Sequence, residues 1–305
     1  MKTQIFTSQT KRMAKGKHQT KQQWSEYSLI DCGDGRKLER FGSVVLIRPE
    51  PAAIWSPKFE AKEWEKRAHA ECIQLANNKA EWKFSKDFNK TWNVSYPLRG
   101  KPISFNLQLT RFKHVGLFPE HFLNWNYIYD SVKKIGPSAK VLNLFAYTGG
   151  ASLAAKTAGA DVVHVDSIKQ VISWAKSNMV SSNLNDIRWV VEDALKFVAR
   201  EHKRGNIYQG VILDPPAYGL GAKGERWRLE DSIKELMQMV NGVLDKRNHF
   251  VVLNTYSPGF TPLVVENVMK STLHKSKHHS AKELFLLSET GYKMPTGVTG
   301  IATSA

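Results

Sequence analysis

The stretch VLNLFAYTGGASLAAKTAGADVVHVDS, Val141 to Ser167, reads as a buried strand, a glycine turn, a helix and a second strand that ends on an acid. The apolar runs VLNL and VVHV do not alternate with polar residues, which is the pattern of parallel strands covered on both faces. Gly149 and Gly150 break the pattern where the first strand gives way to the helix. Such a strand, helix and strand form one half of a doubly wound α/β sheet, whose ligands lie beyond the carboxyl ends of the strands. The arrangement fits a half-site for a nucleoside.

Outward from this unit the strand and helix rhythm continues. Apolar strands are predicted near 187–191, 210–214 and 249–254, with helices over 121–135, 168–182 and 229–244. KELFLLS and a glycine-rich turn before GVTGIATS predict a closing antiparallel hairpin. Upstream, Gly33, Gly35 and Gly42 punctuate short apolar runs, and Pro49, Pro51 and Pro57 interrupt the segment after them. Ile103, Phe105, Leu107 and Leu109 alternate with polar residues, as a half-buried strand requires. The expected organisation is a basic, disordered arm over 1–24, a small β-rich domain over 25–115, and a Rossmann-like α/β domain over 116–305 with a mostly parallel sheet.

Across 305 residues, 44 Lys and Arg against 28 Asp and Glu leave a formal charge of +16. That excess attracts polyanions and points to nucleic acid as partner, the alternative being a solvated basic surface. Cys32 and Cys72 belong to no metal or disulfide motif, so both are read as reduced thiols of a cytoplasmic protein. No run approaches the roughly 18 apolar residues of a membrane helix, and no secretory signal pattern is visible. No metal site is expected.

Three acids follow three successive strands: Asp166, Asp193 and Asp214. Asp166 can accept two ribose hydroxyls; Asp193 can receive an adenine amino group or simply cap the next helix. Asp214-Pro215-Pro216-Ala217-Tyr218 is a stiff turn whose carbonyls, held untied, can orient an amino group while Tyr218 stacks on a base. The segment Gly219 to Asp231 is either a lid with Trp227 as a stacking ring or an anchor for the following helix. Trp82 and Trp92 beside Lys83, Lys86 and Lys90, and the basic cluster Lys270 to Ser280, are nucleic-acid contacts or ordinary core and surface.

From about His114 onward the chain resembles class I S-adenosylmethionine-dependent methyltransferases, and most of all the large-subunit ribosomal RNA methyltransferases. The motifs that carry the resemblance are GLFPEH, VLNLFAYTGG, VVHVDS, VVEDALKFV, VILDPPAYGLGAKGERWRLE and VVLNTYSPGF. It implies S-adenosylmethionine as cofactor, with Thr148, Gly149 and Gly150 around its methionine part, Asp166 and Ser167 at the ribose, and Asp193 and Ala194 at the adenine. Asp214 would lie beside the transferred methyl, with Pro215, Pro216 and Tyr218 completing the catalytic turn. Glu120 and His121 stand where the family has G-x-F-L-D-Q closing over the cofactor. Relatives that methylate cytosine carbon 5 carry Cys where this chain has Tyr256, so a base nitrogen of RNA, ribosomal by resemblance, is the expected acceptor. The competing readings are a dinucleotide-dependent oxidoreductase, a non-catalytic RNA-binding protein on the same scaffold, and an enzyme acting on a protein amide.

Overall fold

The computed structural model describes residues 24–75, 79–220 and 226–304. The expected arm therefore lies outside the described residues except for Trp24, which is buried and donates from Nε1 to the Ser95 carbonyl at 2.7 Å. Composition alone assigned Trp24 to the arm, whereas the structure makes it core.

Tight turns shape the N-terminal part. Strands β1 (Tyr27–Gly33) and β2 (Arg36–Phe41) are joined by Asp34 and Gly35, at φ 49° and 72°, as a two-residue turn with both positions left-handed requires. Strand β3 (Val44–Pro49) continues antiparallel; after helix α1 (Ala61–Arg67), β4 (Ala70–Gln74) pairs parallel to β3 and β5 (Ala80–Phe84) closes a five-stranded sheet. Strands β6 (Thr91–Leu98) and β7 (Lys101–Gln108) form a separate ribbon around Arg99 and Gly100, at φ 46° and 79°. On β7 the alternation seen in the sequence buries Ile103, Phe105 and Leu107.

A single 3-10 turn, Pro119–His121, leads into helix α2 (Phe122–Ile135). The chain then runs β8 (Lys140–Leu144), α3 (Gly150–Thr157), β9 (Asp161–Asp166), α4 (Lys169–Ser181), β10 (Ile187–Val191) and α5 (Ala194–Lys203). It continues through β11 (Gly210–Leu213), the ribbon of β12 (Tyr218–Leu220) and β13 (Arg226–Arg228), α6 (Leu229–Val243), β14 (Phe250–Thr255), α7 (Pro262–Thr272), β15 (His278–Leu287) and β16 (Lys293–Thr303). The ribbon stands where a lid or anchor was expected, and residues 221–225 of that segment lie outside the described residues.

The seven-stranded sheet has the order β10-β9-β8-β11-β14-β16-β15. Its first five strands are parallel, and the C-terminal hairpin β15–β16 adds antiparallel to β14. From β8 the chain winds outward to β10, returns to β11 on the other flank, and so opens a crevice between the carboxyl ends of β8 and β11. Alternate residues of each central strand feed different cores. Val141, Val162, Ile212 and Val252 pack with α2, α3 and the β6–β7 ribbon, whereas Leu142, Val163, Val211 and Val251 pack with α5, α6 and α7. The first of these cores also contains Trp24, Tyr27, Phe41 and Leu46, so apolar packing runs without a break from the N-terminal sheet into the Rossmann-like part. Buried Asp31 ties the two further, accepting from the Cys32 and Lys58 backbone amides and from Thr290 Oγ1 near the hairpin turn. Among the described residues no helix is long and apolar enough to cross a membrane.

Candidate active site

The loop that follows β8 is held in an uncommon backbone shape. Phe145 and Tyr147 sit at φ 54° and 48°, and Gly149 at 94°. Positive φ at two aromatic residues is strain that persists only when the surroundings fix it, and such strain gathers at functional sites. Thr148 supplies two of those restraints: its Oγ1 donates to the Gly116 carbonyl at 2.8 Å, and its carbonyl accepts from Asn178 Nδ2 at 2.9 Å. Gly150 has a different reason to be glycine. A Cβ there would come within 2.8 Å of the Trp125 ring, so the missing side chain makes room for α2, and the residue also borders the crevice described below.

Asp166 ends β9 beside this loop. Its Oδ2 accepts from the Tyr147 amide at 3.0 Å and its Oδ1 from the Ile168 amide at 2.9 Å. Burial pushes its carboxyl above the usual aspartate range against these bonds. The carboxylate keeps acceptor capacity for a further donor. Ser167 follows it. One strand further out, Val191 pairs with Asp166, and Asp193 accepts from the Lys196 amide at 3.0 Å as the N-cap of α5, with Ala194 buried behind it. Capping is thus an observed use of Asp193. Ile168 and Val191, at 51% and 53% exposure, leave apolar surface open to either side of Asp166. Sequence reasoning missed both, because an exposed apolar residue stands out only once exposure is known.

The crevice at β8 and β11 is lined by Phe118, His121, Tyr147, Thr148, Gly149 and Asp214, with Asn254 on its β14 side. Of the residues singled out in the sequence, His121, Thr148, Gly149, Gly150 and Asp214 meet here. Asp166 is one hydrogen bond away through Tyr147. Glu120 is buried and feels the charges of Lys37 and Glu39 in the N-terminal sheet; burial raises its carboxyl above the usual range. Tyr218, on β12, is 58% exposed.

Asp214 is the acid in the lining of the crevice. Its Oδ2 lies 3.3 Å from His121 Nε2, and the Tyr256 hydroxyl touches the same nitrogen. Its Oδ1 is buried and has no hydrogen-bond partner among the described residues. Burial disfavours the His121 cation, but Asp214's charge and hydrogen bond, with Glu120, outweigh it and raise the imidazole above its ordinary value. Tyr256, Asn124 and Asn254 were not read as site residues, since their relevance arises from convergence of α2 with the end of β14, distant in sequence.

The proline turn departs from expectation at two carbonyls. Pro216's accepts from Trp227 Nε1 at 2.6 Å and Ala217's from the Leu229 amide at 3.1 Å, because β13 and α6 fold back over the turn. Pro215's carbonyl has no partner among the described residues. Trp227 is 7% exposed and packs on Phe145 at 4.9 Å, so it anchors the segment rather than presenting a stacking face. The basic cluster over 270–280 is partly structural too: Lys275 Nζ donates to the Gly242 and Leu244 carbonyls at the end of α6. Among the described residues no group of three or more His, Cys, Asp or Glu is placed to hold a metal ion.

Residues 71–252 match the family model for S-adenosylmethionine-dependent methyltransferases. A crystal structure of a SAM-dependent methyltransferase from Agrobacterium tumefaciens is 33% identical, with a TM-score of 0.87, and the match covers 92% of this chain and 91% of that one. SMU.776, solved with S-adenosylhomocysteine, shares the fold at 18% identity and a TM-score of 0.67, over 91% of this chain and 75% of that one. Among curated proteins, ribosomal RNA large subunit methyltransferase K/L of Shewanella frigidimarina is 28% identical over 155 residues, 49% of this chain and 21% of the relative. The same-named protein of Pseudoalteromonas translucida is 35% identical over 117 residues, 37% of this chain and 16% of the relative. The chain thus spans only about a fifth of the length of these curated relatives. With a domain-wide family match and a full-length structural relative, the chain belongs to the S-adenosylmethionine-dependent methyltransferases.

Proposed function

We propose that the protein methylates RNA, ribosomal RNA in particular, at a base nitrogen. The observation that carries this is Asp214 Oδ1: a buried acceptor without a donor among the described residues, in the crevice where this fold binds its ligands. An N–H of the acceptor base fits that oxygen. S-adenosylmethionine, when bound, supplies the electrophilic sulfonium methyl.

The donor's parts fit the residues present. Asp166 receives the ribose hydroxyls, Ser167 lies next to it, and Ile168 and Val191 offer apolar faces for the adenine, with Asp193 and Ala194 at its edge. Thr148 and Gly149 bound the methionine end, while Gly150 contributes by admitting Trp125. His121 closes the crevice at Asp214, and Glu120 acts from behind it through charge. Tyr218 presents an exposed ring next to the proline turn as a stacking face for the acceptor. Attack from carbon 5 of cytosine needs a thiolate, and the chain's two cysteines are both buried in the N-terminal sheet. Burial pushes the Cys32 thiol up to about 11 and that of Cys72 in the same direction. The charge of +16 and the names of the curated relatives support RNA as the acceptor class.

The test is transfer of labelled methyl groups to ribosomal subunits, naked RNA and total protein from a strain lacking the protein, with nucleoside mass spectrometry of the product. Label in an N-methylated nucleoside is expected. Label in protein, or in 5-methylcytidine, would contradict the reading.

A further inference from the structure

We propose that His121 and Tyr256 are positioning residues that pin one oxygen of Asp214, so that the other, Oδ1, faces the transferred methyl and takes the proton of the methyl-accepting nitrogen. The inference rests on the reading of Asp214 given above, but not on the acceptor being RNA.

The hydrogen bonds around His121 set its tautomer. Asn124 Nδ2 donates to Asn254 Oδ1 at 2.8 Å, and Asn124 Oδ1 accepts from Thr299 Oγ1 at 3.3 Å, which fixes the amide's orientation. The same Nδ2 faces His121 Nδ1 at 3.4 Å. A ring nitrogen turned toward a donor acts as the acceptor, so the proton of the neutral ring resides on Nε2, the atom facing Asp214 Oδ2. The Tyr256 hydroxyl touches Nε2 and so holds the ring from the β14 side. The turn before α2 and the end of β14 therefore hold Oδ2 together, His121 directly and Tyr256 through the ring nitrogen it touches.

A carboxylate held this way keeps a single orientation, with its second oxygen free to act. The acceptor nitrogen forms its bond to the methyl carbon as the carbon–sulfur bond breaks, sulfur keeping the electron pair, and the nitrogen's proton passes to Asp214 Oδ1 and on to solvent. Tyr256 keeps its proton throughout: the packing around its hydroxyl, then Asp214 and Glu120, hold its phenol well above the usual range, although the residue as a whole is 37% exposed.

Calorimetry on the full chain tests this without knowledge of the acceptor. Sinefungin carries an amine where the sulfonium methyl stands, and S-adenosylhomocysteine carries nothing there. A charged donor meeting a waiting carboxylate oxygen should make sinefungin bind roughly tenfold tighter or better. Tyr256→Phe, which keeps the ring, and His121→Leu should each lower the sinefungin to S-adenosylhomocysteine preference about threefold or more, whereas His121→Gln, which retains an N–H, should preserve most of it. Equal affinities in the wild-type protein would overturn the proposal. So would a preference that survives both Tyr256→Phe and His121→Leu, including the case in which both ligands weaken in parallel, as a purely structural role would produce. Methyl label appearing in protein instead of RNA would refute the proposed acceptor and leave this preference untouched.

Discussion

The Tyr147 amide donates to Asp166 Oδ2 at 3.0 Å, so the strained loop after β8 and the acid that closes β9 form one unit. Burial raises the Asp166 carboxyl above the ordinary aspartate range while its bonds to the Ile168, Tyr147 and Ser167 amides oppose the shift. The ionised form is the better acceptor of ribose hydroxyls. Affinity for S-adenosylhomocysteine should therefore begin to fall on acidification at a pH above that of a free aspartate, as a titration series in pH would show. For folding the sign is opposite. A carboxyl with a raised folded pKa stabilises most when protonated, and that contribution disappears as pH rises through the folded value.

Asp214→Ala should separate chemistry from binding. Loss of the waiting acceptor should cut methyl transfer by roughly 10²-fold or more, with S-adenosylhomocysteine affinity changed much less. Wild-type turnover in this variant, measured with labelled cofactor and RNA, would remove Asp214 from the mechanism.

Gly150→Ala tests what that glycine is for. A methyl group 2.8 Å from the Trp125 ring overpacks the contact between α2 and α3, at a cost of about 1–3 kcal/mol in urea unfolding. Pairing it with Trp125→Leu should cost less than the sum of the two. Unchanged stability with lost cofactor binding would instead assign Gly150 to the ligand.

Arg48 and Glu39 form a buried ion pair in the N-terminal sheet. Arg48 Nε and Nη2 reach Glu39 Oε2 at 2.8 and 2.6 Å, and the Tyr27 hydroxyl donates to Oε1 at 2.9 Å. Arg48→Met strands a fully buried carboxylate and should destabilise the fold by about 3–5 kcal/mol at neutral pH. Burial pushes Glu39 up, but Arg48, Lys37 and the hydrogen bonds to Tyr27 and Arg48 hold its carboxyl below the usual range. Its contribution is therefore present above the unfolded pKa and lost as pH falls through the folded one. The gap between wild type and variant should narrow on acidification, when Glu39 becomes neutral in the variant first.

Much of this arrangement was legible in the sequence. The largely apolar, non-alternating runs VLNL and VVHV placed β8 and β9, and the alternation from Ile103 to Leu107 placed β7, because burial on both faces or on one writes directly into residue order. Asp214 and Asp166 were found as strand-end acids. What the sequence withheld depends on contacts between distant segments. Trp24 joins Tyr96 and Trp125 in the core, Trp227 folds back onto the proline turn, and Tyr256 meets His121 across 135 positions. No local pattern encodes such meetings. The roles of Gly149 and Gly150, adjacent and alike in sequence, differ for the same reason: one answers to φ and the other to a ring from another helix.

The central claim is that the crevice beside Asp166 and Asp214 is the cofactor site. Titration calorimetry of S-adenosylhomocysteine against wild type and Asp166→Ala tests it most directly. One saturable site is predicted, weakened in the variant roughly tenfold or more, as loss of hydrogen bonds to a charged acceptor implies. Absence of binding to the wild-type protein, or equal affinity in the two, would contradict the account.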